Sequence, residues 1–210
     1  VLAAGVNNLD LNPNGTGATR LTDTQIDHFI KNYDIVTHYA NDPASGFSAT
    51  LFRSKTANAQ GQFEYTLSFR STEYQLAAKG GNYEQDGSGT PAGADASIKD
   101  TGLAYAQLAT MEEFYAHLQK GEINVNGAWV QNTAAQTFAA QQTAGTAKLN
   151  VTGYSLGAHL ATAFTLEHWN DVNQTYTYNA AGVGVSGTHD VAGAAIQGLI
   201  GLYTEMLAWN

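Results

Sequence analysis

Val151-Thr152-Gly153-Tyr154-Ser155-Leu156-Gly157-Ala158 decides the fold of this chain. Glycine two positions either side of a serine permits a strand-to-helix turn too tight for larger side chains, and such a turn presents the hydroxyl as a nucleophile. The pattern alone is weak evidence, so its flanks matter. Leu149 and Val151 form a β-prone run ending at Thr152-Gly153, too brief for a helix. Beyond the serine, Leu156, Leu160, Ala163, Phe164 and Glu167 recur at helical spacing, with Ala158 and Ala161 small enough to lie close against a sheet. Gly184-Val185-Ser186-Gly187-Thr188 has the first glycine but not the last, and Ser186 is given no role.

Working outward, a short strand at Tyr176 to Asn179 follows the helix. Strand, helix and strand make a βαβ unit, and the right-handed crossover places Ser155 at the carboxyl end of a parallel strand. The N–H of Leu156, at the start of the helix, is one donor for a developing oxyanion. A second donor is sought at the end of the alternating strand Phe63 to Phe69, where Arg70-Ser71-Thr72-Glu73 breaks the pattern. Arg70 either braces this strand end through hydrogen bonds or only caps it. Upstream, the capping box Thr22-Asp23-Thr24-Gln25 and the stripe Ile26, Phe29, Ile30, Tyr33, Val36 predict a helix over 22–40. Phe47, Ala49 and Leu51 predict a strand antiparallel to Phe63–Phe69. Gly80 to Asp100, rich in Gly, Ala, Ser and Asp, reads as a long mobile excursion with no packed face. Leu103 to Leu118 reads as a helix, the Asn/Gln/Thr/Ala stretch after it as polar connection, and residues 191–207 as a final helix, either core or an interfacial lid.

Composition bounds the function. With 210 residues and 43% hydrophobic content, the chain can form one domain with a sizeable core over residues 1–210. A net charge of -9 argues against nucleic acid and anionic membrane as partners. The absence of cysteine excludes disulfides, thiolate catalysis and cysteine-based zinc sites.

The chain resembles the class 3 lipases of the α/β-hydrolases, particularly bacterial secreted lipases that carry repeats-in-toxin calcium modules. Four segments carry the resemblance: Gly46 to Phe52, Ser68 to Glu73, Val151 to Ala158 and Tyr176 to Gly184, in matching order and spacing. It implies an α/β-hydrolase fold, a mostly parallel sheet with helices on both faces. It further implies Ser155 as nucleophile, Thr72 and Leu156 as oxyanion hole, and a secreted enzyme hydrolysing carboxylic esters of triacylglycerol or phospholipid. Two positions depart from the pattern: Ser71 stands where the family usually has glycine, and Tyr154 where it often has histidine.

The remaining catalytic residues are not found. In this fold the chain order is serine, acid, histidine. Of the six histidines, His28, His38 and His117 precede Ser155, and His159 and His168 lie on the helix leaving it, where they read as packing or surface residues. His189-Asp190 has acid and base in the wrong order. The expectation is therefore a fold incomplete at its C-terminus, completed by a C-terminal fragment or a downstream calcium-binding repeat module. No organic cofactor and no metal site are expected. Asp10 to Gly15 copies half a calcium loop but has Leu21 in place of the bidentate glutamate, and Asp86-Gly87-Ser88-Gly89 with Asp95 reads as a solvated loop ahead of a calcium site or lid hinge. The rivals are a non-lipid serine esterase or thioesterase, and a non-catalytic hydrolase-like binding domain.

Overall fold

The fold is organised around strand β6, Ala147–Tyr154, which lies inside a five-stranded sheet. A computed structural model describes residues 23–79, 81–90 and 93–183. On one side of β6 lies β3 (Phe63–Phe69), parallel, with Phe69 opposite Gly153; on the other lies β7 (Val172–Tyr178), also parallel, with Tyr178 opposite Tyr154. Beyond β3 come β2 (Ala49–Ser54) and β1 (Tyr33–Tyr39), in the order β1-β2-β3-β6-β7. Only β2 runs against its neighbours, so β1, β3, β6 and β7 share one direction. The chain is thus mixed α/β with a mostly parallel central sheet.

Alternation along the strands sets the core on one face. Ala49, Leu51, Tyr65, Leu67, Phe69, Leu149 and Val151 are buried there. They pack with Leu108, Met111, Phe114 and Leu118 of α4 (Tyr105–Gln119), Phe138 of α5 (Thr133–Thr143), and Leu160 and Phe164 of α6 (Leu156–Glu167). Aromatic rings join the layers: Tyr65 meets Phe138 at 4.9 Å, Phe69 meets Phe164 at 5.7 Å, and Tyr115 stands edge-on to Phe164 at 4.7 Å. Burying one such side chain contributes about 1.5–3 kcal/mol, so these contacts fix α6, and with it the turn before it, against the sheet. On the opposite face the strands carry Thr50, Thr66, Ser68, Asn150 and Thr152. There Phe52 receives the edge of Phe29 from α1 (Asp23–Asn32) at 5.1 Å.

The structure corrects the reading of the sequence at three places. The helix expected over 22–40 ends at Asn32, and Tyr33–Tyr39 is strand. Tyr33 and Val36 suit either period, but Ile35-Val36-Thr37 is β-branched and pairs with β2, with a bulge between Ile35 and Thr37. The Gly80–Asp100 excursion does pack: α2 (Tyr83–Asp86) and α3 (Ala94–Thr101) lie within it, and Ala94 joins Ala104 and Leu156 in a small second core. Small side chains hid this face from a hydrophobic pattern. The polar stretch before the serine turn holds a hairpin, β4 (Glu122–Val125) with β5 (Ala128–Gln131), and helix α5. Its turn residues Asn126 and Gly127 sit at φ 52 and 86, as a two-residue hairpin loop demands. The Asn132 side chain then caps α5 by accepting from Ala134 N–H and Ala135 N–H. Thr22, Ser186, His189-Asp190, the Asp10–Gly15 loop and the helix expected over 191–207 lie outside the described residues.

Candidate active site

Ser155 occupies the junction between β6 and α6 at φ 52, ψ -116. A non-glycine residue in such a region stores about 1–3 kcal/mol and persists only where its surroundings over-determine it. Here they do. A Cβ on Gly153 would lie 2.1 Å from the Gly157 carbonyl oxygen, and one on Gly157 would lie 2.4 Å from the Phe69 oxygen and 2.9 Å from the Arg70 oxygen. Both glycines of the pentapeptide are therefore sterically required. The Ser155 N–H donates to the Tyr178 carbonyl at 3.0 Å, and the Ser155 carbonyl accepts from Ala158, His159 and Ala181 N–H groups at 3.0, 3.1 and 3.3 Å. The Ser155 side chain does not cap the helix that it begins. Leu156, first in α6, has its N–H among those without an intrahelical acceptor. Its side chain is buried in the small second core.

Contact of Gly157 with Phe69 and Arg70 brings the loop after β3 to the start of α6, so the segment sought for the second donor lies beside the elbow. Thr72 is buried there, and its hydroxyl donates to Asp95 Oδ2 at 2.9 Å. Ser71 needs no glycine: among the described residues, only Asn126, Ser155 and Asn179 are non-glycine residues with positive φ. Tyr154, the other departure, is exposed on the sheet end.

Arg70 does brace the loop. Its Nη1 donates to Asn41 Oδ1 at 2.7 Å and Glu73 Oε2 at 2.6 Å, and its Nη2 donates to the Gly46 carbonyl at 3.0 Å and Asp86 Oδ2 at 2.7 Å. Asp86 Oδ2 also accepts the Glu73 backbone N–H at 2.9 Å, while Oδ1 accepts from Gln107 of α4 at 2.7 Å. Asp86 is fully buried, which overturns its reading as part of a solvated loop; its oxygens serve the loop rather than solvent. Burial pushes the Asp86 carboxyl up to about 6, against the pull of Arg70 and the hydrogen bonds from Glu73 and Gln107. Burial also raises Asp95, opposed by the Thr72 hydroxyl and the nearby His159. Gln107 and Asn41 escaped the sequence reading altogether. The available signal was Arg70: a guanidinium directly after a buried strand requires acceptors from elsewhere in the chain.

None of the described histidines hydrogen-bonds the Ser155 hydroxyl. His159 is fully buried, with Nδ1 at 3.0 Å from the Gly182 carbonyl and Nε2 accepting the Ala104 N–H at 3.2 Å. Burial lowers its pKa, opposed by its backbone partners and Asp95. His168 pairs with Glu112 at 2.8 Å and packs on Tyr115 and Phe164. His117 stacks on Trp129 at 4.0 Å, and His38 Nδ1 lies 2.9 Å from Thr50 Oγ1. His159 and His168 are therefore engaged by partners other than the serine, His159 by backbone groups and His168 by Glu112. Ser155 and Leu156 follow β6 and Thr72 follows its neighbour β3, so all three lie at the carboxyl end of the sheet, where a helix N-terminus and a buried loop could meet a negative oxygen. No family model, curated protein or solved structure matches this chain.

Proposed function

We propose that this chain is a serine carboxylic-ester hydrolase of the lipase type, built on an α/β-hydrolase fold. The observation that carries the reading is Ser155 at φ 52 between two glycines that tolerate no Cβ, at the carboxyl end of a parallel strand and the N-terminus of a helix. A protein retains such strain where a hydroxyl must be presented. In the proposed reaction a base takes the Oγ proton as Oγ attacks the ester carbonyl. The tetrahedral oxyanion is met by the Leu156 N–H and by Thr72. Collapse expels the alcohol, which takes the proton back, and water then hydrolyses the acyl-enzyme by the same route. The base and its acid come from outside the described residues.

Exposed apolar side chains favour a lipid substrate over a small soluble ester. Tyr74, 80% exposed, stacks on Tyr83, and Leu76 is also exposed, in the segment following Thr72. Triacylglycerol or phospholipid, met at an interface by a secreted enzyme, fits that segment. The second reading, a non-catalytic hydrolase-like domain, draws on the absence of a hydrogen bond between the Ser155 hydroxyl and any described histidine.

A fluorophosphonate probe and a p-nitrophenyl ester, applied to this chain and to Ser155→Ala, test the proposal. Labelling and turnover that vanish in Ser155→Ala support a hydrolase; an unlabelled serine in the intact chain favours the binding domain. A rise in turnover above the critical micelle concentration of the ester separates lipase from soluble esterase.

A further inference from the structure

His159 lies one helical turn beyond Ser155, on the helix that the serine begins, and both of its ring nitrogens are occupied by backbone groups of distant segments. Nε2 accepts the N–H of Ala104, the residue that caps α4. That fixes the proton on Nδ1, which donates to the carbonyl of Gly182, four residues beyond the end of β7. The imidazole is thus neutral, in one tautomer, and bridges the end of the Asp86–Ala104 region to the chain leaving β7.

The chain leaving β7 is also what holds the elbow. Tyr178 accepts the Ser155 N–H, and Ala181 donates to the Ser155 carbonyl. The peptide groups flanking the strained residue are therefore gripped by residues 178–181, and His159 holds the next residue, Gly182. Asp95 of α3 is near enough for its charge to act on the imidazole, and it accepts the Thr72 hydroxyl. Asp95 is the titratable neighbour that shares this space. One buried side chain thus ties the helix begun by the strained serine to the α4 N-terminus and to the strand exit.

We infer that His159 is a positioning residue for the nucleophile: it takes no proton from Ser155 but locks the β7 exit and the α4 N-terminus onto α6 so that the Ser155 backbone stays in its strained, hydroxyl-presenting conformation. This inference rests on the hydrolase reading. It adds that the reactivity of Ser155 depends on a histidine whose nitrogens never face the substrate.

The test compares His159→Phe, His159→Gln and the intact chain by two readouts. The first is amide hydrogen exchange at Ala104 and Ala181; the second is the second-order rate of Ser155 labelling by a fluorophosphonate. Phenylalanine keeps the shape and removes both bonds, whereas glutamine offers one acceptor and one donor. Losing both hydrogen bonds predicts exchange faster and labelling slower by about tenfold or more in His159→Phe, with His159→Gln within about threefold of the intact chain. If His159→Phe fails to fold, His159→Asn, too short to span both partners, takes its place with the same expectation. Equal labelling of the phenylalanine variant and the intact chain overturns the inference, as does unchanged exchange at both amides. An intact chain that takes no label overturns the hydrolase reading instead, and exchange alone then decides whether the histidine holds the two segments.

Discussion

The Asp86 carboxylate accepts the backbone N–H of Glu73 at 2.9 Å, one residue beyond Thr72, while the same oxygen holds Arg70. The loop proposed to receive the oxyanion is therefore positioned by a fully buried acid at the end of α2. Removing the acid as Asp86→Ala leaves Arg70, only 8% exposed, without its buried partner. The expected cost is about 3–5 kcal/mol, read by urea denaturation. Asp86→Asn separates charge from shape. An acid whose pKa rises from 3.8 to about 6 on folding keeps its proton longer when folded, so its contribution is present below the unfolded value and is lost as pH rises through about 6. The stability of the intact chain relative to Asp86→Asn should thus fall by up to about 3 kcal/mol between pH 4 and pH 7. A flat difference across that range contradicts the assignment.

Gly157→Ala and Gly153→Ala should each destabilise the chain by more than about 2 kcal/mol and abolish serine labelling, because the added carbon meets backbone rather than a movable side chain. Gly182→Ala is the control. A Cβ there meets nothing within 4 Å, so the change should stay within about 0.5 kcal/mol.

Strain at Ser155 is separable from its chemistry. Ser155→Gly relieves the positive φ, at a smaller entropic cost in the unfolded chain, and should raise stability by about 1 kcal/mol. Ser155→Ala keeps the Cβ and the strain, so its urea midpoint should stay near that of the intact chain, below the glycine variant. Both variants lose labelling.

Thr72→Val keeps the backbone N–H but deprives Asp95 of a hydroxyl donor at 2.9 Å. Turnover number should fall about tenfold with the Michaelis constant little changed, since the loop that aims the Thr72 N–H at the oxyanion loses its tie to Asp95. Thr72→Ser should keep most of the activity, because it retains the hydroxyl.

The elbow was legible because its parts are neighbours in the chain: a strand of period two, two glycines, and a helix of period 3.6. Elements held together by small or polar side chains were not. Ala94 and Ala104 pack under Leu156 with no apolar stripe to announce them, and α5 buries Ala135 and Phe138 from a run of Gln, Thr and Ala. Tyr33 to Tyr39 fits helix and strand periods about equally well until β2 arrives beside it. Asp86 was misread for a related reason. It stands in Asp-Gly-Ser-Gly, a loop composition, while its partners Arg70 and Gln107 lie 16 and 21 residues away. Charge pairing at such separations leaves no local pattern.

The order of strands also bears on how the chain reaches this state. In β1 and β2, Tyr33 pairs with Ser54, 54 - 33 = 21 residues on, whereas Phe63 of β3 must find Ala147 of β6, 147 - 63 = 84 residues on. Closing the longer loop costs more entropy, and non-local parallel pairing is slow. The β1-β2-β3 meander should form early and the β3–β6 seam late, so that after dilution from urea the serine regains its reactivity only with the slowest refolding phase. Gly157 can seat against Phe69 only once that seam has closed, so a partly folded chain carries the serine but not yet the turn that presents it.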